Sequence, residues 1–134
     1  MPDKPVSGLD DMLAGMAPWL HAAPYRFLAL PHEDAGAEWV GEPFALIRED
    51  EAATVVIEAL EPEPGGALFA RITLQLQSDL EGVGLTAAVS AALAEAGIAC
   101  NAIAGYHHDH LFVPWTRREQ ALGILQGLSE DARR

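Results

Sequence analysis

The sequence predicts an α+β fold of the ferredoxin-like (βαββαβ) kind, built as two paired lobes with an antiparallel sheet and helices on one face. Three observations predict it. Residues 67–129 run strand–helix–strand–strand–helix, which is a split βαβ order with its last strand missing. The first half offers three more strands and one short helix, so the missing strand has a source. Half of the 134 residues are hydrophobic, enough for a proper core. Each half is too small to close a sheet alone. The expected lobes, 1–62 and 63–134, are therefore expected to share strands.

The elements follow in order. Leu9, Met12, Leu13 and Met16 fall at i, i+3, i+4 and i+7, the spacing of one apolar helix face, with Ser7 as N-cap and Pro18 as terminator. Tyr25 to Leu30 reads as a strand. Pro31 to Pro43 is rich in Gly, Pro and acidic residues and reads as a loop. Phe44–Arg48 and Thr54–Leu60 read as strands joined by the charged turn Glu49-Asp50-Glu51. Two prolines and two glycines within residues 61–66 mark a boundary. From Ala70 to Gln77, Ile72, Leu74 and Leu76 alternate with Arg71, Thr73, Gln75 and Gln77, the pattern of a half-buried strand. Leu85, Val89, Ala92, Leu93 and Ala96 form one helical face, and Gly97 suits the left-handed residue after it. Ile98–Tyr106 is a strand, His107-His108-Asp109 a polar turn, and Leu111–Val113 a further strand. Thr116 and Glu119 fit a capping box ahead of the stripe Ala121, Leu122, Leu125 and Leu128.

Charge narrows the function. The formal net charge is −12, which repels phosphate backbones and anionic lipid. The expectation is no nucleic-acid partner and no membrane partner. Cys100 is the single cysteine, so no intramolecular disulfide is available. The sequence from Met1 to Pro5 lacks the apolar stretch of a signal peptide. No run approaches the roughly 18 apolar residues of a membrane helix. Cytoplasmic residence is the expectation.

The stretch Ser78, Asp79, Leu80, Glu81, Gly82, Val83, Gly84, Leu85, Thr86 is the candidate ligand site. A helix start presents backbone N–H groups without intrahelical partners and favours a carboxylate. Gly82 and Gly84 let a ligand approach the backbone. Asp79 and Glu81 suit an ammonium group, so the loop can hold both ends of a zwitterion. Asn101 and Ile103, on the following strand, form the expected opposite wall. Asn101 can both donate and accept. The same residues also fit a plain capping box, Ser78-x-x-Glu81, with glycines that only shape a turn.

Residues 78–88 resemble the helix start of ACT domains, in particular those of short bacterial proteins carrying two ACT domains in tandem. Arg48-Glu49-Asp50-Glu51, residues 97–106 and residues 107–114 match in the same order, and the similarity runs over about 45–129. It is also similar to tandem-ACT amino-acid sensors. The resemblance implies the ACT-type βαββαβ fold, a non-catalytic regulatory role, an amino acid or similar small molecule as ligand, and pairing of domains, as a homodimer or within one chain. Gly82 departs from the alanine of the motif, and Ala52-Ala53 from its glycine.

Competing readings rest on other residues. His107, His108, Asp109 and His110 carry metal-ligating groups, and His108 and His110 share a strand face. Two ligands do not make a site, and no CxxC or HExxH accompanies them. No metal and no cofactor are therefore expected, and a metal-dependent enzyme on this cluster ranks below a ligand-free interaction or dimerisation module. Cys100 on an apolar strand reads as a small buried residue. Trp19, Trp39 and Trp115 read as core or interface groups. Gly82-Val83-Gly84 lacks the third glycine of a dinucleotide fingerprint.

Overall fold

A computed structural model describes residues 8–59, 66–76 and 82–134. The chain divides into two compact units, 1–22 with 70–134, and 23–69.

The first unit begins with helix α1 (Leu9–Ala14), N-capped by Gly8 rather than by Ser7, which lies outside the described residues. Strand β1 (Pro18–Leu30) follows, and its first residues belong to this unit. Then come β4 (Phe69–Leu74), α2 (Leu85–Glu95), β5 (Asn101–Ala104), β6 (Asp109–Pro114) and α3 (Arg118–Ala132). The strand order is β1-β4-β6-β5. That is the ferredoxin-like arrangement, with the opening of β1 in the fourth position. Gln75 N donates to Ala17 O at 3.4 Å at this junction. β5 and β6 are antiparallel, pairing Asn101 with Phe112 and Ile103 with His110.

Periodicity explains the core. Ile72 and Leu74 of β4 and Leu111 and Val113 of β6 pack with Leu85, Val89 and Leu93 of α2 and Ala121 and Leu125 of α3. Met12 and Met16 join them, both fully buried, although α1 stops two residues short of Met16. Gly97, at φ +72°, ends α2 as expected, and Ile98 N donates back to Leu93 O at 2.9 Å. Ile98 is buried in this core ahead of β5, so the strand is shorter than the apolar run around it.

Thr116 does not cap α3. Residues Trp115–Arg117 form a 3-10 turn, and the N-cap position falls on Arg117 with no side-chain bond. Arg118 explains the tightening: it lies 3.8 Å above the Trp115 ring and donates to Trp115 O at 2.7 Å. Arg117 donates to Ala96 O at 3.0 Å and ties this turn to the end of α2. At the other end of α3, buried Ser129 donates to Ala14 O at 3.1 Å.

The second unit holds the rest of β1, two 3-10 turns (His32–Asp34 and Glu38–Val40), β2 (Ala45–Arg48) and β3 (Ala53–Glu58). Its order is β2-β3-β1, antiparallel, with Tyr25 opposite Glu58 and Arg48 opposite Ala53. Glu49 N donates to Ala52 O at 3.0 Å to close the β2–β3 turn. Pro24 lacks an N–H, yet its carbonyl accepts from Ala59 N at 2.8 Å, so it stands where β1 begins pairing with β3. Buried Val55, Val56 and Tyr25 anchor the unit, with Phe27 edge-on to Phe69. The boundary expected at 61–66 lies largely outside the described residues.

Candidate functional site

Two regions of the first unit carry the functional candidates. The start of α2 is the first. Ser78, Asp79, Leu80 and Glu81 lie outside the described residues. Of the others, Gly82 and Gly84 are half-buried, Leu85 is buried, and Val83 and Thr86 are exposed, Val83 to 82%. Gly84 is the N-cap at φ +103°, a conformation that disfavours any side chain. A Cβ there would also stand 3.3 Å from the Leu9 side chain. The glycine is thus needed for the turn and for the close approach of α1. Gly84 has no side chain with which to cap the helix, and among the described residues no side-chain cap bond is made there. The first turn of α2 has no acidic residue of its own.

Asn101 and Ile103 stand elsewhere. Leu111 and Val113 face the helices, so His110 and Phe112, one residue away, face the opposite side of the sheet. Directly paired residues share a face, which places Asn101 with Phe112 and Ile103 with His110. Asn101 is exposed and Ile103 half-buried. The two therefore leave the sheet on the side away from α2.

That far face is the second region, and it gathers side chains distant in sequence. His21 of β1 and Thr73 of β4 meet at 2.7 Å, and Thr73 meets Nδ1 of His110 on β6 at 3.0 Å. Arg71 Nε donates to the same Nδ1 at 3.4 Å. His110 Nδ1 is then the acceptor: the Thr73 hydroxyl donates to it and accepts from His21 Nε2–H. Thr73 is buried, which the alternation of β4 did not predict; its hydroxyl is satisfied inside this chain. His108 Nδ1 donates to Leu76 O at 3.4 Å. Trp19, 53% exposed, stands 4.2 Å ring to ring from His21. His21 was not singled out from the sequence, because nothing local marks it.

Burial pushes His110 down to about 4, helped by the Arg71 guanidinium and by His108 and His21. The sign of the pH effect follows. A histidine held below its ordinary value of 6.5 contributes stability that is full above 6.5 and is lost as pH falls toward 4. The group is half-exposed, so solvent screening limits the loss to roughly 1–2 kcal/mol. Urea midpoints measured at pH 7.5 and 4.5 are expected to differ more in the native chain than in His110→Phe.

The turn before β6 is Gly105 to His108, with Gly105 N donating to His108 O at 2.9 Å, so Asp109 begins the strand instead of ending the turn. His107 packs edge-on against exposed Tyr106 at 5.1 Å. Among the described residues no three His, Cys, Asp or Glu side chains are arranged to hold a metal ion. Burial pushes the Cys100 thiol up, away from the thiolate that a nucleophile needs. No described helix is long and apolar enough to cross a membrane.

Comparison with known proteins places this geometry. The sequence profile of the ACT domain matches residues 69–127, and a second ACT-domain profile matches residues 4–64. The crystal structure of a Vibrio cholerae protein of unknown function, described as a possible transport protein, is 44% identical. It superposes at a TM-score of 0.72, covering 86% of this chain and 91% of that one. The chain belongs to the ACT-domain family.

Its two profile matches make it a tandem ACT protein. An Agrobacterium tumefaciens protein, 18% identical with a TM-score of 0.68 over 84% of this chain and 87% of its own, has the same fold. No curated protein sequence matches. ACT domains are regulatory, non-catalytic modules that generally bind small molecules.

Proposed function

We propose that this tandem ACT protein, with lobes at 1–62 and 63–134, binds a free amino acid and passes the bound state to a partner. The carrying observation is the start of α2, a left-handed glycine where no side-chain cap is made among the described residues, in a domain whose family generally binds small ligands. The ligand carboxylate accepts from the backbone N–H groups that follow Gly82, up to Thr86. Asp79 and Glu81, the neighbours of Ser78 and Leu80 in sequence, carry carboxylates that suit its ammonium group. Asn101 and Ile103 stand on the other side of the sheet and are left out of this wall. The working form is a cytoplasmic homodimer with no enzymatic activity of its own.

A thermal-shift screen of the twenty amino acids is the test. At 100 times its dissociation constant a ligand adds about 2.7 kcal/mol, a shift of several degrees. Amide resonances of Val83 to Thr86 are expected to move with the same ligand. A flat panel, or a shift that spares those amides, rejects the site.

A further inference from the structure

We infer that the loop of residues 31–43 is a docking surface for an arginine-bearing segment of another protein, with Trp39 as its anchor and Glu33, Asp34, Glu38 and Glu42 around it. This loop lies in the second unit, so its role does not depend on an amino acid at α2.

Trp39 is held outward by the backbone around it. The loop is a chain of bonded turns. Asp34 N donates to Pro31 O at 2.9 Å, Ala37 N to Asp34 O at 2.9 Å, Val40 N to Ala37 O at 3.0 Å, and Gly41 N to Glu38 O at 3.0 Å. Ala35 and Val40 point inward and are buried, while Trp39, next to Val40, is 66% exposed. Turning the indole inward within this frame would pull Val40 out. The other two tryptophans have company: Arg118 lies 3.8 Å above Trp115, and the His21 ring stands 4.2 Å from Trp19. Among the described residues Trp39 has no such neighbour. A large, rigid aromatic group on an ordered frame loses little conformational freedom on docking, which is the character of an interface anchor.

Charge names the occupant. Residues 31–43 carry four carboxylates and no lysine or arginine. Glu33, Glu38 and Glu42 are exposed and Asp34 is half-buried. Among the described residues no hydrogen bond or ion pair engages the side chain of any of the four. Arg48 meets the loop at His32 Nδ1, at 3.4 Å. Carboxylates spaced along a loop suit a peptide with several cations more than a single small ion. Arginine suits this surface better than lysine. Its planar guanidinium stacks on an indole and binds a carboxylate through two parallel N–H groups. A second copy of this chain, with the same acidic loop and a net charge of −12, is repelled from it.

The test uses the full chain labelled with fluorotryptophan, its Trp39 resonance assigned through Trp39→Phe. It is titrated at low salt with a blocked Gly-Arg-Gly-Arg-Gly-Arg peptide, and separately with the peptide in which glutamine replaces arginine. The expected result is a saturable shift of the Trp39 resonance below about 1 mM arginine peptide, the range of a weak transient contact, and none with the glutamine peptide. A lysine peptide is expected to bind about three- to tenfold more weakly. Trp39→Ala, followed by calorimetry, weakens binding about tenfold or more at an unchanged melting temperature, and Trp39→Phe recovers part of it. Glu38→Gln combined with Glu42→Gln weakens binding about threefold or more and flattens its salt dependence. The proposal is overturned if the arginine peptide moves Trp39 no more than the glutamine peptide does. It is also overturned if folded Trp39→Ala binds like the native chain, or if the native chain forms a dimer that Trp39→Ala dissociates, which would make a second copy the occupant.

Discussion

Leu125→Ala is expected to cost about 2–5 kcal/mol of folding stability, measured by urea unfolding. Leu125 is fully buried in α3 and belongs to the cluster that joins α3 to α2, β4 and β6. Truncation removes three carbons from a fully buried position in that cluster and leaves a cavity. The effect is expected in probes of the first unit, such as the Trp115 environment. A loss below about 1 kcal/mol would mean that α3 is not seated on this sheet as described.

Gly105→Ala is expected to destabilise the chain by about 1–3 kcal/mol through a backbone clash. A Cβ at Gly105 stands 2.8 Å from His108 O, closer than side-chain carbons approach, and 3.5 Å from His110 Nε2. The carbonyl cannot retreat without losing the bond it accepts from Gly105 N. The β5–β6 turn must open, and the His110 resonances should shift with it. Gly123→Ala in α3 is the control. Nothing lies within 4 Å of its added carbon, so it should stabilise by about 0.5–1 kcal/mol. Equal signs for the two substitutions would contradict the geometry of the turn.

Sequence made the second half legible because its signals are periodic and local. Ile72 and Leu74 alternate, Leu85, Val89 and Leu93 repeat at helical spacing, and Gly97 stops the helix where a left-handed residue is needed. The first half was harder. Pro18 and Pro24 argue against a strand, yet β1 runs through both. The first opens the strand, and the second sits where its missing donor is not needed. Thr116 looked like a cap because its spacing to Glu119 is right. The stacking of Arg118 on Trp115 then decided the geometry of that turn. Spacing records which caps are available, not which neighbour wins.

The candidate sites divide in the same way. Gly84 could be picked out because a glycine at a helix start has a local meaning. The imidazole chain could not. His21 and Thr73 are 52 residues apart, and only the borrowed fourth strand brings them together. Sequence order sets Asn101 and Ile103 on the strand that follows α2, opposite the loop. The pleat, fixed by pairing with β6, sends them to the other face.

β1 has a consequence for how such a protein can change over generations. Its opening residues complete one unit and its closing residues complete the other. A fragment beginning at Gly66 would leave behind the fourth strand of its own sheet and the buried Met12 and Met16. The two ACT repeats are therefore not cassettes that recombination can trade one at a time. Insertion, duplication or loss of a single repeat breaks its neighbour. The pair is inherited, lost or transplanted whole.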